Sequence, residues 1–190
     1  MSNTVGNVLQ GKPVTTGGIL IGTSGATLPT TPSAATTGFT VLGYAGDAGV
    51  TRTTDRTTDK VKAWGGDVVK VTQSEFSVTY TFTLLEVLNA DTLGAVHGSA
   101  NVTTTSATSS AGTLQSVKIN GTTMPKLPWI FDMVDGDAKI REVVPLGQVT
   151  AVGDITYQDA GVIGYPVTIE AFADSSGNNA YSYIDNGVTL

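Results

Sequence analysis

Between positions 76 and 84 the chain alternates without a fault: Phe76, Val78, Tyr80, Phe82 and Leu84 are apolar, and Ser77, Thr79, Thr81 and Thr83 between them carry only hydroxyls. A period of two places the first set on one face of a strand and the second on the other. Residues 74–84 would extend about 35 Å at the usual rise, long against the five or six residues of an average strand. Upstream, residues 17–22 (GGILIG) read as a short buried strand between turn signals. Residues 23–38 (TSGATLPTTPSAATTG) read as a long loop, because Pro29 and Pro32 remove backbone donors. Strand character resumes at Phe39. Residues 51–60 (TRTTDRTTDK) are wholly polar and predict a solvated loop or a contact surface. Gly65 and Gly66 then suit a hairpin turn between strands at 61–64 and 67–72.

Thr83 and Glu86 stand in the spacing of a capping box, which predicts a helix beginning there. Leu85, Leu88, Leu93, Ala95 and Val96 would form its apolar stripe, and Gly98 after His97 would stop it. Residues 102–112 read as a loop or weak strand, and 114–119 as a strand leading to an Asn120-Gly121 hairpin turn. Residues 129–134 and 139–144 pair across Asp135-Gly136. Further strands are expected at 147–152, 155–157, 163–172 and, after a turn at 175–178, a short one at 180–184. The ends, residues 1–16 and 174–190, are expected to be arms of one domain that spans the chain. Many strands and one helix make the fold mainly β, a β-sandwich or barrel with one flanking α-helix.

Composition sharpens this picture. Only 14% of residues are charged, so the polar surface must be built largely of Thr, Ser, Gly and Asn, which suits pleated sheets. Sixteen acidic residues against ten basic give a net charge of -6, which repels phosphate and argues against a grip on nucleic acid. With no cysteine, disulfides, thiolate catalysis and cysteine metal sites are excluded. No apolar run has the length of a signal peptide core or a membrane span, so no membrane association is expected.

Candidate chemistry is sparse. His97 is the single histidine and sits where a helix end favours a cation, so it reads as a cap or surface residue with no catalytic motif around it. Asp132, Asp135 and Asp137 lack the order of a calcium loop, and Asp135 is explained by its turn. Asp154 with Asp159, or Asp55 with Asp59, have no companion motif that would make them an acid and base pair. No phosphate-cradling glycine motif occurs, and the two Asn-x-Thr sequons at Asn101 and Asn120 are expected in a threonine-rich chain. Trp64 and Trp129 are isolated aromatics suited to a core or an interface; no basic groove accompanies them. Neither an enzyme nor a cofactor is indicated. A long strand with a hydroxyl face leaves edges open to other chains, which closure into an oligomeric barrel would satisfy; a monomeric binding or adhesion sandwich is the alternative.

Several runs carry a resemblance. LGYAGDAGVT at 42–51, KAWGGDVV at 62–69, SEFSVTYTFTLLEVLNADTLGAVHG at 74–98, PWIFDMV at 128–134, VVPLGQVTAVGDITYQDAGVIGYPVTIEAF at 143–172 and DSSGNNAYSYID at 174–185 follow one another in family order. Together they resemble the major tail proteins, the tail tube subunits, of long, non-contractile-tailed bacteriophages. The resemblance implies a β-sandwich with a flanking helix, forming hexameric rings that stack into a hollow tube around a tape measure protein. Tail tip and terminator proteins would be further partners, and double-stranded DNA would cross the lumen without specific binding. The location implied is the virion tail, with assembly in the host cytoplasm. Some relatives carry an immunoglobulin-like C-terminal domain, which is not expected here. By analogy, Arg52, Asp55, Arg56, Asp59, Lys60 and Trp64 are candidate contacts between subunits or rings, as is the loop at 23–38. Ser77, Thr79, Thr81 and Thr83 are the candidate lumen or polar sheet face.

Overall fold

The computed structural model describes residues 7–188; the outer parts of the two expected arms, residues 1–6 and 189–190, lie outside it. In chain order the elements are β1 (Lys12–Pro13), β2 (Ile19–Gly22), β3 (Phe39–Val41), β4 (Thr51–Lys62), β5 (Val68–Leu84), α1 (Ala90–His97), β6 (Val102–Thr105), β7 (Leu114–Val117), β8 (Leu127–Asp135), β9 (Ala138–Val152), β10 (Tyr165–Phe172) and β11 (Tyr181–Asp185). The fold is mainly β with one flanking helix, as the sequence pattern implies. Nine strands form one antiparallel sheet in the order β3-β2-β8-β9-β10-β5-β4, with β1 also on β8 and β11 also on β9; β6 and β7 form a separate ribbon. Lys12–Pro13 and Tyr181–Asp185, within the segments expected to be arms, are thus paired to β8 and β9.

The sheet curls on itself. β8 and β5 are three strands apart in the ladder, about 14 Å in a flat sheet, yet the Tyr80 and Phe131 rings stack with centroids 4.9 Å apart. Phe82 meets Trp129 and Phe131 at 5.8 and 5.5 Å. The larger core cluster is the enclosed side of the curl, with Val78, Tyr80, Phe82 and Leu84 of β5, Trp129 and Phe131 of β8, and Val167 and Ile169 of β10 buried in it, while Leu20, Ile130 and Val143 form a smaller one on the reverse of β2, β8 and β9. Trp129 is wedged against the backbone of β9. A Cβ on Gly147 would stand 2.5 Å from its Cδ1 and 3.2 Å from Val144 Cγ1. Gly147→Ala is therefore expected to overpack this wall and cost about 1–3 kcal/mol, seen as a lowered midpoint in thermal unfolding.

Several expectations are corrected by the fold. Residues 51–60 are not a loop: β4 pairs along its whole length with β5, from Thr51 opposite Thr81 to Lys62 opposite Val68. The polar decapeptide lacks an apolar face because it has no core to face, every residue of β4 being exposed. The helix does not start at a Thr83 and Glu86 capping box. Thr83 is still in β5, opposite Pro166, and Glu86 instead accepts from the Tyr44 N–H at 3.1 Å and from Asn89 Nδ2 at 3.2 Å. Asn89 is the cap, its Oδ1 accepting from the Asp91 N–H at 3.0 Å, so Leu88 falls outside the helix and is exposed. The stop at Gly98 holds, at φ 89°.

Asn120-Gly121 is not a hairpin turn. β7 pairs backwards with β6, and Asn120 Oδ1 accepts from the Thr122 N–H in a local turn. Residues 155–157 form no strand. The expected strand at 147–152 is the second half of β9, which runs unbroken through Pro145. That proline has no register partner, standing where the β11 pairing ends at Val143 and the β10 pairing begins at Leu146. Its missing N–H is therefore asked for by no ladder.

The turn before β11 is organised by one carboxylate. Asp174 Oδ2 accepts from the Tyr181 hydroxyl at 2.6 Å, and Oδ1 accepts from the N–H groups of Ser176 and Asn178 at 2.8 and 3.1 Å. These bonds, the Tyr181 hydroxyl foremost, hold the Asp174 carboxyl below its ordinary value of 3.8. A depressed carboxylate contributes stability that is present above the ordinary value and lost as the pH falls through the folded-state value. Amide protection at Ser176 and Asn178 should thus be flat down to about pH 4 and fall below it, as read by hydrogen exchange.

Candidate assembly surface

On the outer side of the curl, the hydroxyl residues of β5 become part of a wider face. Residues directly opposite each other in an antiparallel ladder share a face. Thr79 and Thr81 stand between Thr53 and Thr51 of β4 and Glu170 and Thr168 of β10, and Ser77 stands opposite Asp55. Thr81 and Thr168 hydroxyls are 3.4 Å apart, and the Thr150 hydroxyl donates to the Thr168 carbonyl at 3.4 Å. The face of β4, β5 and β10 is thus a hydroxylated surface that carries the acids Asp55 and Glu170, with the Lys126 ammonium over the Phe172 ring at the end of β10. Ser77, Thr79, Thr81 and Thr83 all lie on it; Thr83 is partly covered, with Gly46 and Gly164 packed close to its side chain.

Beyond the core, β4 and β5 continue as a two-stranded arm. Residues 56–76 overhang by about 20 Å at the usual rise, with all of residues 56–76 exposed save a partly covered Thr72. Two register shifts on β5, at Ser74 and Val69, mark bulges in it. Gly65 and Gly66, at φ 121° and 100°, close the tip, with Trp64 fully exposed there. Of the six candidate contact residues, Asp55, Arg56, Asp59, Lys60 and Trp64 lie on this arm or its base. Arg52 lies further in and is already engaged within the chain. Its Nη1 donates to Glu142 Oε2 at 2.9 Å, and the same oxygen accepts from the Tyr80 hydroxyl at 2.9 Å. Burial, with the Glu142 charge behind it, pushes the Tyr80 phenol well above its ordinary value, so it stays a hydrogen-bond donor.

The loop at 23–38 is tied down. The Thr23 N–H donates to the Gly38 carbonyl at 3.1 Å, closing its base. Arg141, buried in β9, holds Asp132 of β8 in a two-pronged ion pair at 2.6 and 2.7 Å and donates Nη1 to the Thr31 and Ala34 carbonyls at 3.1 and 2.8 Å. Asp132 is thereby a structural anion; no cluster of three or more metal-ligating side chains occurs among the described residues. Asp132 and Arg141 stand opposite each other in the hairpin that the sequence predicts, whereas the Arg141 bonds to the loop and the Arg52–Glu142 pair join residues about 90 or more positions apart and were not visible in the sequence. His97 ends α1 edge-on to Tyr165, ring centroids 5.6 Å apart, and burial lowers its pKa, so it is no permanent cation at the helix end.

A family model described as phage tail tube protein matches residues 13–189. The chain belongs to the phage tail tube protein family. No curated protein matches it. As a tail tube protein it is a structural component of the virion tail, assembles with other subunits into a tube, and is not an enzyme. No helix among the described residues is long and apolar enough to cross a membrane. For a tube subunit, the hydroxyl face and the overhanging arm are two surfaces that a lone chain leaves unexplained.

Proposed function

We propose that the tube subunits close into hexameric rings that stack into a hollow tail tube, the conduit for genome delivery, with the hydroxyl face of β4, β5 and β10 lining the lumen. The observation that carries this reading is that face itself: a broad patch of Thr and Ser, on the side of the sheet away from the core, with the carboxylates Asp55 and Glu170 among them. Hydroxyls keep such a wall wet, and carboxylates repel phosphate, so double-stranded DNA slides past without binding. β4 is the edge of the sheet, and its 12 residues offer a row of backbone donors and acceptors to a neighbouring subunit, which would carry the sheet around the ring.

The arm, with Asp55, Arg56, Asp59, Lys60 and Trp64, and the clamped loop at 23–38 are the contacts between subunits and between rings. Surface ion pairs there, each worth about 0–1 kcal/mol, set register more than strength. The stack is built in the host cytoplasm around a tape measure protein and is bounded by tip and terminator proteins. Negative-stain microscopy and sedimentation of the purified chain test this reading. Rings or tubes of one diameter with a sixfold end view support it; a chain that stays monomeric at every concentration, with and without other tail proteins, refutes it.

A further inference from the structure

The apolar row on the core side of β5 does not stop where the chain's own core stops. Leu84, Phe82, Tyr80 and Val78 are buried, but the row continues through Phe76, 39% exposed, to Val71 and Val68, 55% and 49% exposed. On β4 the residues opposite Tyr80, Phe76, Val71 and Val68 are Arg52, Arg56, Lys60 and Lys62. One face of the hairpin is therefore apolar on one strand and cationic on the other, while Asp55, Asp59 and Glu75 stand on the reverse face with the single cation Lys70.

Arg52, the innermost cation, meets a buried carboxylate of its own chain, Glu142. The cations that repeat along the row have no such partner among the described residues. Arg56 donates to the neutral Gln73 and lies 4.9 Å above the Phe76 ring, and neither Lys60 nor Lys62 stands in an ion pair. Charge is unevenly divided as well. Of the ten Lys and Arg residues, Arg52, Arg56, Lys60, Lys62 and Lys70 lie on the hairpin, so the rest of the chain holds five cations against twelve of the sixteen acids. An acidic surface, such as the body of another copy carries, would complement the arm.

We infer that the core side of the outer hairpin, with Arg56, Lys60 and Lys62 beside Phe76, Val71 and Val68, docks on a carboxylate-bearing, apolar surface of a second copy of this chain, completing between subunits the row that Arg52 and Glu142 begin within one. This rests on the reading that the copies assemble, and adds which face of the arm is covered and by what chemistry. Trp64 at the tip is the large exposed aromatic that such a contact would bury at its far end.

Lysine acetylation and carbodiimide cross-linking, on free subunits and on tubes built from equal parts of isotopically heavy and light chain, test the proposal. Expected is a loss of acetylation at Lys60 and Lys62 on assembly, with heavy-to-light amide links from these lysines to Asp or Glu. Raising salt from about 0.15 M to about 1 M shortens the screening length from about 8 to about 3 Å and should shift assembly to higher subunit concentration. The double variant Lys60→Glu, Lys62→Glu should keep the native melting temperature and lose assembly, while Lys60→Arg, Lys62→Arg assembles. Tubes in which both lysines stay as reactive as in the free subunit overturn this proposal and leave the tube reading standing; failure to form any assembly overturns both.

Discussion

Replacing residues 56–76 with a two-residue Asn-Gly turn between Asp55 and Ser77 should give a folded subunit that no longer forms rings or tubes. Asp55 and Ser77 are already directly paired, so the short turn closes a ladder that exists. The residues removed contribute nothing to the core: β4 is exposed throughout, and burial on β5 begins at Val78. The melting temperature of the free subunit should therefore change by no more than a few degrees, consistent with surface changes of about 0.5 kcal/mol or less. Assembly, by contrast, loses a surface that carries Trp64, Phe76 and three exposed valines of β5, and should be abolished at concentrations where the native chain assembles. Circular dichroism and sedimentation velocity on one preparation decide this. A shortened subunit that still builds tubes would remove the arm from the assembly surface.

Asp132→Ala should be among the most destabilising single substitutions in the chain. It leaves the Arg141 guanidinium, buried between β8, β9 and the loop at 23–38, without its counter-charge. Breaking one partner of a buried pair costs about 3–5 kcal/mol, or roughly 6–20 °C in melting temperature for a chain of this size. The double replacement Asp132→Leu, Arg141→Met removes both charges and should recover most of that stability. It should not recover the loop, since the donors to the Thr31 and Ala34 carbonyls are gone. Hydrogen exchange across residues 23–38 should thus stay fast in the double variant while its melting temperature returns toward the native value. Equal protection of the loop in native and double variant would show that Arg141 does not hold it.

The fold was legible where one side of an element is buried. The alternation from Phe76 to Leu84 names the core face of β5 because Val78 to Leu84 do enter the core, and glycines at 65, 66, 98 and 136 mark turns whose positive φ other residues resist. It failed where burial ends. β4 has no hydrophobic alternation to find, although its cations at 52, 56, 60 and 62 and its acids at 55 and 59 do alternate between faces; that charge pattern was the available signal for a strand. The helix start was misplaced because a capping box is a spacing, and Glu86 found a nearer donor in Tyr44.

For the surface, the hydroxyl face could be read within β5 but not its extension through Thr51, Thr53 and Thr168, which depends on register. The Arg52–Glu142 pair escaped for the same reason. Arg52 and Glu142 are 90 positions apart, and only the curl of the sheet brings them together.

In the proposed arrangement the hydroxylated, acid-bearing side of the sheet is the inner wall of a tube of these subunits. A cryo-electron microscopy reconstruction of the assembled tube measures it directly. Thr79, Thr81 and Thr168 should face the channel, with Trp129 and the core around it outward of them. A tube in which these threonines are buried between subunits or face the outside would contradict it.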